Sequence, residues 1–244
     1  MAPLLSTCAP PETPLADAPT RLRMLHAALD LFGRHGFDAT TTRMLTQAAG
    51  VNLGAIPYHF GSKDALYIEA AEHLAGFIAQ QQEPALSRLQ EAASRTDDRI
   101  ILIDLLVGFL CTHARTLLAG DVPSSWVQFF LRAHSEQGEH GQAFERIFAE
   151  VLEPAHVEVC GIVARICACP ADAFEVRALA CLAFHQVMSL GLSDTVLLRR
   201  MGWTALTPER VEALLSLIAH SLRAQLAAPL PAHPVSPDLL PHTT

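Results

Sequence analysis

The chain has 244 residues, and its 17 basic and 25 acidic side chains give a formal charge of −8. Half of the residues are hydrophobic, which argues against overall disorder and allows one large or two modest globular domains. Six cysteines at irregular spacings do not make a disulfide scaffold, so buried free thiols in a reducing compartment are expected.

Neither a signal peptide nor a membrane span is expected. The N-terminal sequence has no basic stretch and no long apolar segment. The most apolar window, residues 100–111, is about 12 residues long and contains Asp104, whereas a membrane span needs about 20 residues. The sequence therefore predicts a cytoplasmic protein without a membrane partner.

Proline marks the two ends of the chain, with ten of the 16 prolines in residues 1–19 and 228–244. Residues 1–17 and 229–244 are therefore predicted to be disordered tails. Between them the apolar residues recur at helical spacing, which predicts an all-α fold. Helices are expected near residues 20–34, 41–48, 53–60, 63–82, 85–94, 98–118, 124–135, 141–152, 154–168, 173–190 and 207–226.

The most informative stretch holds two short helices joined by a tight corner. Thr40 or Thr41 is expected to cap the first helix, and Gly50 is expected to end it in the left-handed conformation. Asn52 is expected to cap the second helix. Two helices with such a turn, at about residues 41–60, make the helix-turn-helix geometry, whose second helix enters the major groove of DNA.

Four sequence pieces extend this motif in both directions: L-F-x-x-H-G-F, A-T-T-T-R, A-G-V-N-L-G-A-I and Y-H-F-G-S-K-D-A-L. In this order and spacing, residues 18–78 resemble the N-terminal domain of TetR-family transcriptional regulators. The resemblance implies a three-helix DNA-binding domain followed by a larger helical domain for dimerisation and effector binding. Its expected partners are double-stranded DNA with a near-palindromic operator, a second copy of the chain, and an unknown small-molecule effector.

Residue type and position then select the DNA contacts. Arg43 and the front of the recognition helix are expected to read bases, because Gly54 and Ala55 are small and Ala55 could meet a thymine methyl. Lys63 is the only lysine of the chain and stands at a helix start, where free N–H groups favour a phosphate; the alternative is a solvated surface lysine. The full predicted set is Thr41, Thr42, Arg43, Asn52, Leu53, Gly54, Ala55, Tyr58, His59 and Lys63.

One residue departs from the family pattern. Pro57 stands where TetR-family regulators usually carry tyrosine. Proline cannot donate a hydrogen bond to the Leu53 carbonyl, so the recognition helix is expected to be kinked or 3₁₀-like. Tyr58 is a candidate replacement for the phosphate contact of that tyrosine, although it lies about 100° further around the helix.

Residues 79–228 are too long and too apolar for a linker and predict a second helical domain. The pieces R-A-H-S-E-Q and L-L-R-R-M-G-W-T resemble the CecR-like subgroup, with its DUF1956-type C-terminal domain. Helices 154–168 and 173–190 carry small residues that permit close helix approach, which predicts a four-helix homodimer interface; the alternative is a central place in a monomer core. These residues are Gly161, Ala164, Ala178, Ala180 and Ala183.

Polar groups on these apolar helices are candidates for orienting an effector. They are His113, Arg132, His134, His185 and Gln186, each with a structural hydrogen bond as the alternative. Cys181 and His185 have a spacing that suits a metal, but no second pair accompanies them, so neither a metal nor a cofactor is expected.

Two functions from different classes remain at this point. One is a ligand-responsive DNA-binding regulator, a repressor of its own or neighbouring genes that an effector releases. The other is a helical ligand carrier or an enzyme whose helix-turn-helix does not read DNA. The resemblance to TetR-family regulators favours the first. No phosphate loop, paired-carboxylate motif or nucleophile elbow occurs in the sequence, so enzyme activity is not expected.

Overall fold

The computed structural model describes residues 19–118, 122–135, 138–147, 149–150, 153–191 and 194–230. Within these ranges the regular structure is helical and contains no strand, so the predicted all-α fold is confirmed. The helices there are α1 (Thr20–His35), α2 (Thr42–Ala49), α3 (Ala55–His59), α4 (Lys63–Ala93), α5 (Arg99–Leu118), α6 (Ser124–Ser135), α7 (Gly138–Ile147), α8 (Glu153–Cys167), α9 (Phe174–Gly191), α10 (Asp194–Met201) and α11 (Pro208–Ala227).

These helices form two compact units. The first unit holds the described residues of 1–77 and 120–148, and the second unit holds those of 78–119 and 149–244. The division therefore differs from the one expected from the sequence, which placed residues 79–228 in the C-terminal domain. The reason is that α6 packs along α1, and α7 packs on α6. The predicted tails, apart from residues 229 and 230, and the end of predicted helix 141–152 beyond residue 150 lie outside the described residues.

A close helix contact organises the first unit. Gly33 on α1 faces α6 so closely that an added Cβ would lie 1.9 Å from the carbonyl oxygen of Ser125. Arg132 on α6 donates from Nε to the Gly33 carbonyl at 3.0 Å. Beside this contact, the ring centroids of Phe32 and Phe129 lie 6.5 Å apart, and both side chains are buried. Glycine at position 33 is therefore required for the two helices to meet.

Helix α4 continues through Pro84, which lies inside it. The predicted break between helices 63–82 and 85–94 is therefore wrong. Proline removes only one backbone donor, whose helical acceptor would be the Gln80 carbonyl. Both Gln80 and Pro84 are exposed, so water can satisfy that carbonyl, while Leu89 and Ala93 are buried in the core of the second unit and hold the helix beyond the proline.

Helix α5 forms the centre of the second unit and packs against α8, α9 and α11. By length and composition alone this helix of 20 residues could cross a membrane. The sequence analysis considered only its most apolar window, residues 100–111, which is too short for a span. Its Leu106 and Leu110 are completely buried in the protein core. On its flank, Asp104 accepts a hydrogen bond from Arg223 of α11 at 2.7 Å. These contacts are those of a core helix.

Candidate nucleic-acid interface

Local capping builds the helix-turn-helix corner. The hydroxyl of Thr41 accepts a hydrogen bond from the Met44 amide at 3.2 Å and so caps α2. Gly50 ends α2 in the left-handed conformation, with φ 65° and ψ 40°, as predicted. The Val51 amide then donates to the Thr46 carbonyl at 2.9 Å, which turns the chain toward α3. The predicted corner is present.

The recognition helix starts later than predicted. Gly54 precedes its first residue, Ala55, and no side chain caps it, so the predicted Asn52 cap is wrong; only the Asn52 carbonyl takes part, accepting from the Ala55 amide at 3.1 Å. Pro57 is thus the third helical residue. Amides of a first turn have no acceptor within the helix, so proline is tolerated there without a kink. Leu53 lies in the turn before the helix.

Most of the predicted DNA contacts lie on the surface. Leu53 is 61% exposed and Tyr58 is 83% exposed. His59 is half-buried, and its ring meets that of Tyr58 edge-on with centroids 4.8 Å apart. The other exposed members of the set are Thr41, Thr42, Arg43, Asn52 and Gly54.

Ala55 does not belong to this exposed set. It is only 7% exposed, because the helix begins at this residue and its methyl group turns into the core with Ile56. The burial of Ala55 therefore contradicts its predicted contact with a thymine methyl. Gln47 is a candidate that the sequence analysis missed: it is exposed on α2, one turn after Arg43. Gln47 follows Arg43 by four residues, so the sequence already placed both on one face of α2. The side-chain amide of Gln47 is a group that pairs with adenine.

Lys63 is the first residue of α4, and the Ser62 hydroxyl caps this helix by accepting from the Ala65 amide at 3.0 Å. The Lys63 ammonium lies over the ring of Phe37, 4.0 Å from its centroid. The carboxylate of Asp64, the next residue, lies 3.3 Å from Nε2 of His140 on α7. The predicted phosphate-binding lysine is thus half-buried and held against a ring rather than extended into solvent.

Two family models match this chain. Residues 24–70, which contain α2, α3 and the start of α4, match the model of bacterial regulatory proteins of the tetR family. Residues 102–229 match the C-terminal domain of the HTH-type transcriptional dual regulator CecR. The chain belongs to the TetR family. It is a helix-turn-helix transcriptional regulator with a CecR-type C-terminal domain.

Individual relatives agree with this assignment. CecR of Shigella flexneri is 28% identical over 205 residues, which is 84% of this chain and 90% of the relative. UidR of Escherichia coli is 34% identical over 73 residues, or 30% of this chain and 34% of the relative.

Solved structures share the fold. The regulator FadR of Bacillus subtilis, in complex with stearoyl-CoA, superposes with a TM-score of 0.58 at 17% identity, covering 84% of this chain and 98% of FadR. A transcriptional regulator of Pseudomonas aeruginosa has a TM-score of 0.57 at 19% identity, with 87% and 96% covered.

In this TetR-family chain the predicted effector residues do not form one group. Arg132 and His134 lie in the first unit, where Arg132 bonds the Gly33 carbonyl and the ring of His134 stacks on Phe130. The other three lie in the second unit. The cause is the placement of α6, which the sequence analysis assigned to the C-terminal domain.

The three effector candidates of the second unit each have a local partner. His113 is hydrogen-bonded to the Gln82 amide, and burial lowers the pKa of its imidazole to about 4, so the ring is neutral at pH 7. Gln186 donates to the Ser221 hydroxyl at 3.0 Å. His185 places Nδ1 2.8 Å from the Cys181 carbonyl, within its own helix. These contacts agree with the structural alternative for each residue.

Two cavities of the described structure are lined by other residues than the five effector candidates. One of about 830 Å³ in the first unit is lined by α4 and α7 residues, and one of about 140 Å³ in the second unit is lined by α4 and α5 residues. None of the five effector candidates lines either cavity, although the ring of Phe109, which lines the smaller one, is 5.6 Å from that of His113. In the described part of the chain no group of three His, Cys, Asp or Glu side chains is arranged to hold a metal ion.

The small residues proposed for dimerisation divide into two sets. Ala164, Ala180 and Ala183 are buried within the second unit itself, whereas Gly161 and Ala178 are half-buried. Two large apolar side chains on the same helices are exposed, Val157 on α8 at 60% and Leu182 on α9 at 63%.

Proposed function

We propose that this TetR-family regulator acts as a homodimer that binds a near-palindromic operator, represses its own or neighbouring genes, and is released by a small-molecule effector. The exposed helix-turn-helix surface carries this proposal. Leu53 is exposed in the turn before α3, Tyr58 is exposed near the end of α3, and Arg43 is exposed on α2. A helix lying in the major groove would cover these side chains against DNA.

A dimer is proposed for two reasons. A single short recognition helix of five residues contacts too few bases to select a site alone. Exposed Val157 and Leu182 on α8 and α9 also supply apolar surface for a twofold four-helix contact. The two recognition helices would then lie about 34–36 Å apart, one turn of DNA.

The operator and the dimer can be tested together. The full chain is used to select duplexes from a random-sequence library, and sedimentation measures how many chains each selected duplex binds. We expect an inverted repeat with half-sites about one turn apart, bound by two chains. A monomer both free and bound, or selected sequences without inverted symmetry, would contradict the proposal. A reporter gene carrying the selected duplex across its promoter should lose expression when the chain is present; a rise would mean activation.

The effector is proposed to bind the second unit near His113, where the α4–α5 cavity has mainly apolar walls. This cavity of about 140 Å³ would have to widen on binding, because small-ligand sites usually measure about 300–1,000 Å³. A compound that releases the selected duplex must also bind more weakly to the DNA-bound chain by the same factor.

Gly108 lines this cavity, and Gly108→Leu should fill it and abolish the response while DNA binding persists. The matched control is Gly76→Leu on α4, which lines neither cavity. An unchanged response in Gly108→Leu would place the effector elsewhere.

A further inference from the structure

We infer that Phe37 is a positioning residue for DNA binding: its ring holds the Lys63 ammonium at the start of α4, ready to contact a phosphate. This inference rests on the proposed DNA-binding function. The Lys63 ammonium lies 4.0 Å from the ring centroid, well within the distance at which a cation is attracted to an aromatic face.

The ring itself is fixed by other aromatic side chains. His140 of α7 meets it with centroids 4.3 Å apart, and Tyr67 of α4 meets it edge-on at 5.4 Å. Phe32 of α1 stacks on it at 5.6 Å. Three helices of the first unit therefore determine where the Phe37 ring lies, although Phe37 itself belongs to the connection between α1 and α2.

A fixed ring matters because lysine is a flexible side chain. A free lysine loses its rotamer freedom when it contacts a phosphate, and that loss opposes binding. An ammonium already resting on a ring has lost part of this freedom beforehand. It carries three N–H donors, so those pointing away from the ring remain available to phosphate oxygens. Because Lys63 is the only lysine, no neighbouring lysine compensates for it.

The single lysine also makes a direct test possible. Protein labelled with ¹³C-lysine gives one set of lysine signals, and the Hε protons of Lys63 should be shifted upfield by the ring current of Phe37. In Phe37→Leu, which keeps an apolar side chain without a π face, the shift should disappear, and in Phe37→Tyr it should remain. Hε protons at the position of a free lysine in the unaltered chain would overturn the inference.

Binding is measured with a random-sequence 30-base-pair duplex at several salt concentrations, since phosphate contacts do not depend on sequence. Phe37→Leu should weaken binding about two- to five-fold per chain, and Phe37→Tyr should bind like the unaltered chain. In a Lys63→Ala background, Phe37→Leu should change nothing further.

A loss that persists in that background would mean that Phe37 acts only through the fold, which overturns the inference. An unaltered chain that binds no duplex would instead refute the proposed function, and the lysine spectrum would still report on the ring contact.

Discussion

Gly33→Ala is expected to destabilise the first unit, although alanine favours helices. The new methyl carbon would lie 1.9 Å from the Ser125 carbonyl oxygen, and contacts under 3.0 Å essentially never occur, so the α6 backbone must retreat by at least about 1.1 Å. No flexible side chain can absorb this shift, because the nearest atoms belong to the backbone of α6. Overpacking of this kind costs about 1–3 kcal/mol, and we place the clash at the upper end. The higher helix propensity of alanine offsets up to about 1 kcal/mol of this cost, so the free energy of unfolding should fall by about 2 kcal/mol.

Gly76→Ala is the matched control. Gly76 also lies inside a helix of the first unit, but nothing lies within 4 Å of an added Cβ. This variant should gain about 0.5–1 kcal/mol.

Thermal unfolding is followed by the fluorescence of Trp126, which is buried on α6, in a background where Trp203 is replaced by Phe. For a chain of this size the melting temperature should fall by about 4–8 °C in Gly33→Ala and rise by about 1–4 °C in Gly76→Ala. Equal shifts in the two variants would refute the close contact between α1 and α6.

Three further outcomes are expected. Lys63→Ala should weaken binding to all DNA sequences about equally and lower the salt slope by about 0.9 per chain; a change in base preference with an unaltered slope would show that Lys63 reads bases. Thr41→Ala removes the α2 cap and should cost about 1 kcal/mol of unfolding free energy, whereas exposed Thr42→Ala should cost much less, and equal losses would contradict the capping role. The pKa of His113 is about 4 in the folded chain and about 6.5 when unfolded, so the unfolded state takes up more protons as the pH falls from 6.5 to 4 and stability is lost across that range. Urea unfolding at pH 7 and pH 5 should show about 2 kcal/mol less acid destabilisation in His113→Leu than in the unaltered chain or in His220→Leu, and an equal pH dependence in all three would mean that His113 is not held neutral by burial.

The features that the sequence predicted well are local ones. The Thr41 cap and the left-handed Gly50 each depend on residues within a few positions, so their chemistry is visible in the sequence. The start of α3 was misjudged because Pro57 has two solutions, a kinked helix or a later start, and the chain adopts the second. The later start of α3 also places Ala55 in a buried position.

Long-range contacts could not be predicted from the sequence. Gly33 and Ser125 are 92 positions apart, and a single glycine in an amphipathic helix gives no sign of which helix it meets. The contact between the Lys63 ammonium and Phe37 could not be predicted for a similar reason, since it depends on a ring that residues from three helices hold in place. Reassigning α6 also explains why Arg132, predicted to face an effector, instead donates to the Gly33 carbonyl.

The composition of the first unit has a consequence for synthesis on the ribosome. Its α1 to α3 emerge early, but α6 and α7, which complete its core, follow only after the rest of α4 and all of α5 have been made. At about 5–20 residues per second, the 64 residues between α3 and α6 take about 3–13 s. During that interval the face of α1 around Phe32 and Gly33 has no α6 to cover it. Transiently exposed apolar surface of this kind favours aggregation, and a pause in translation before residue 147 would lengthen the exposure.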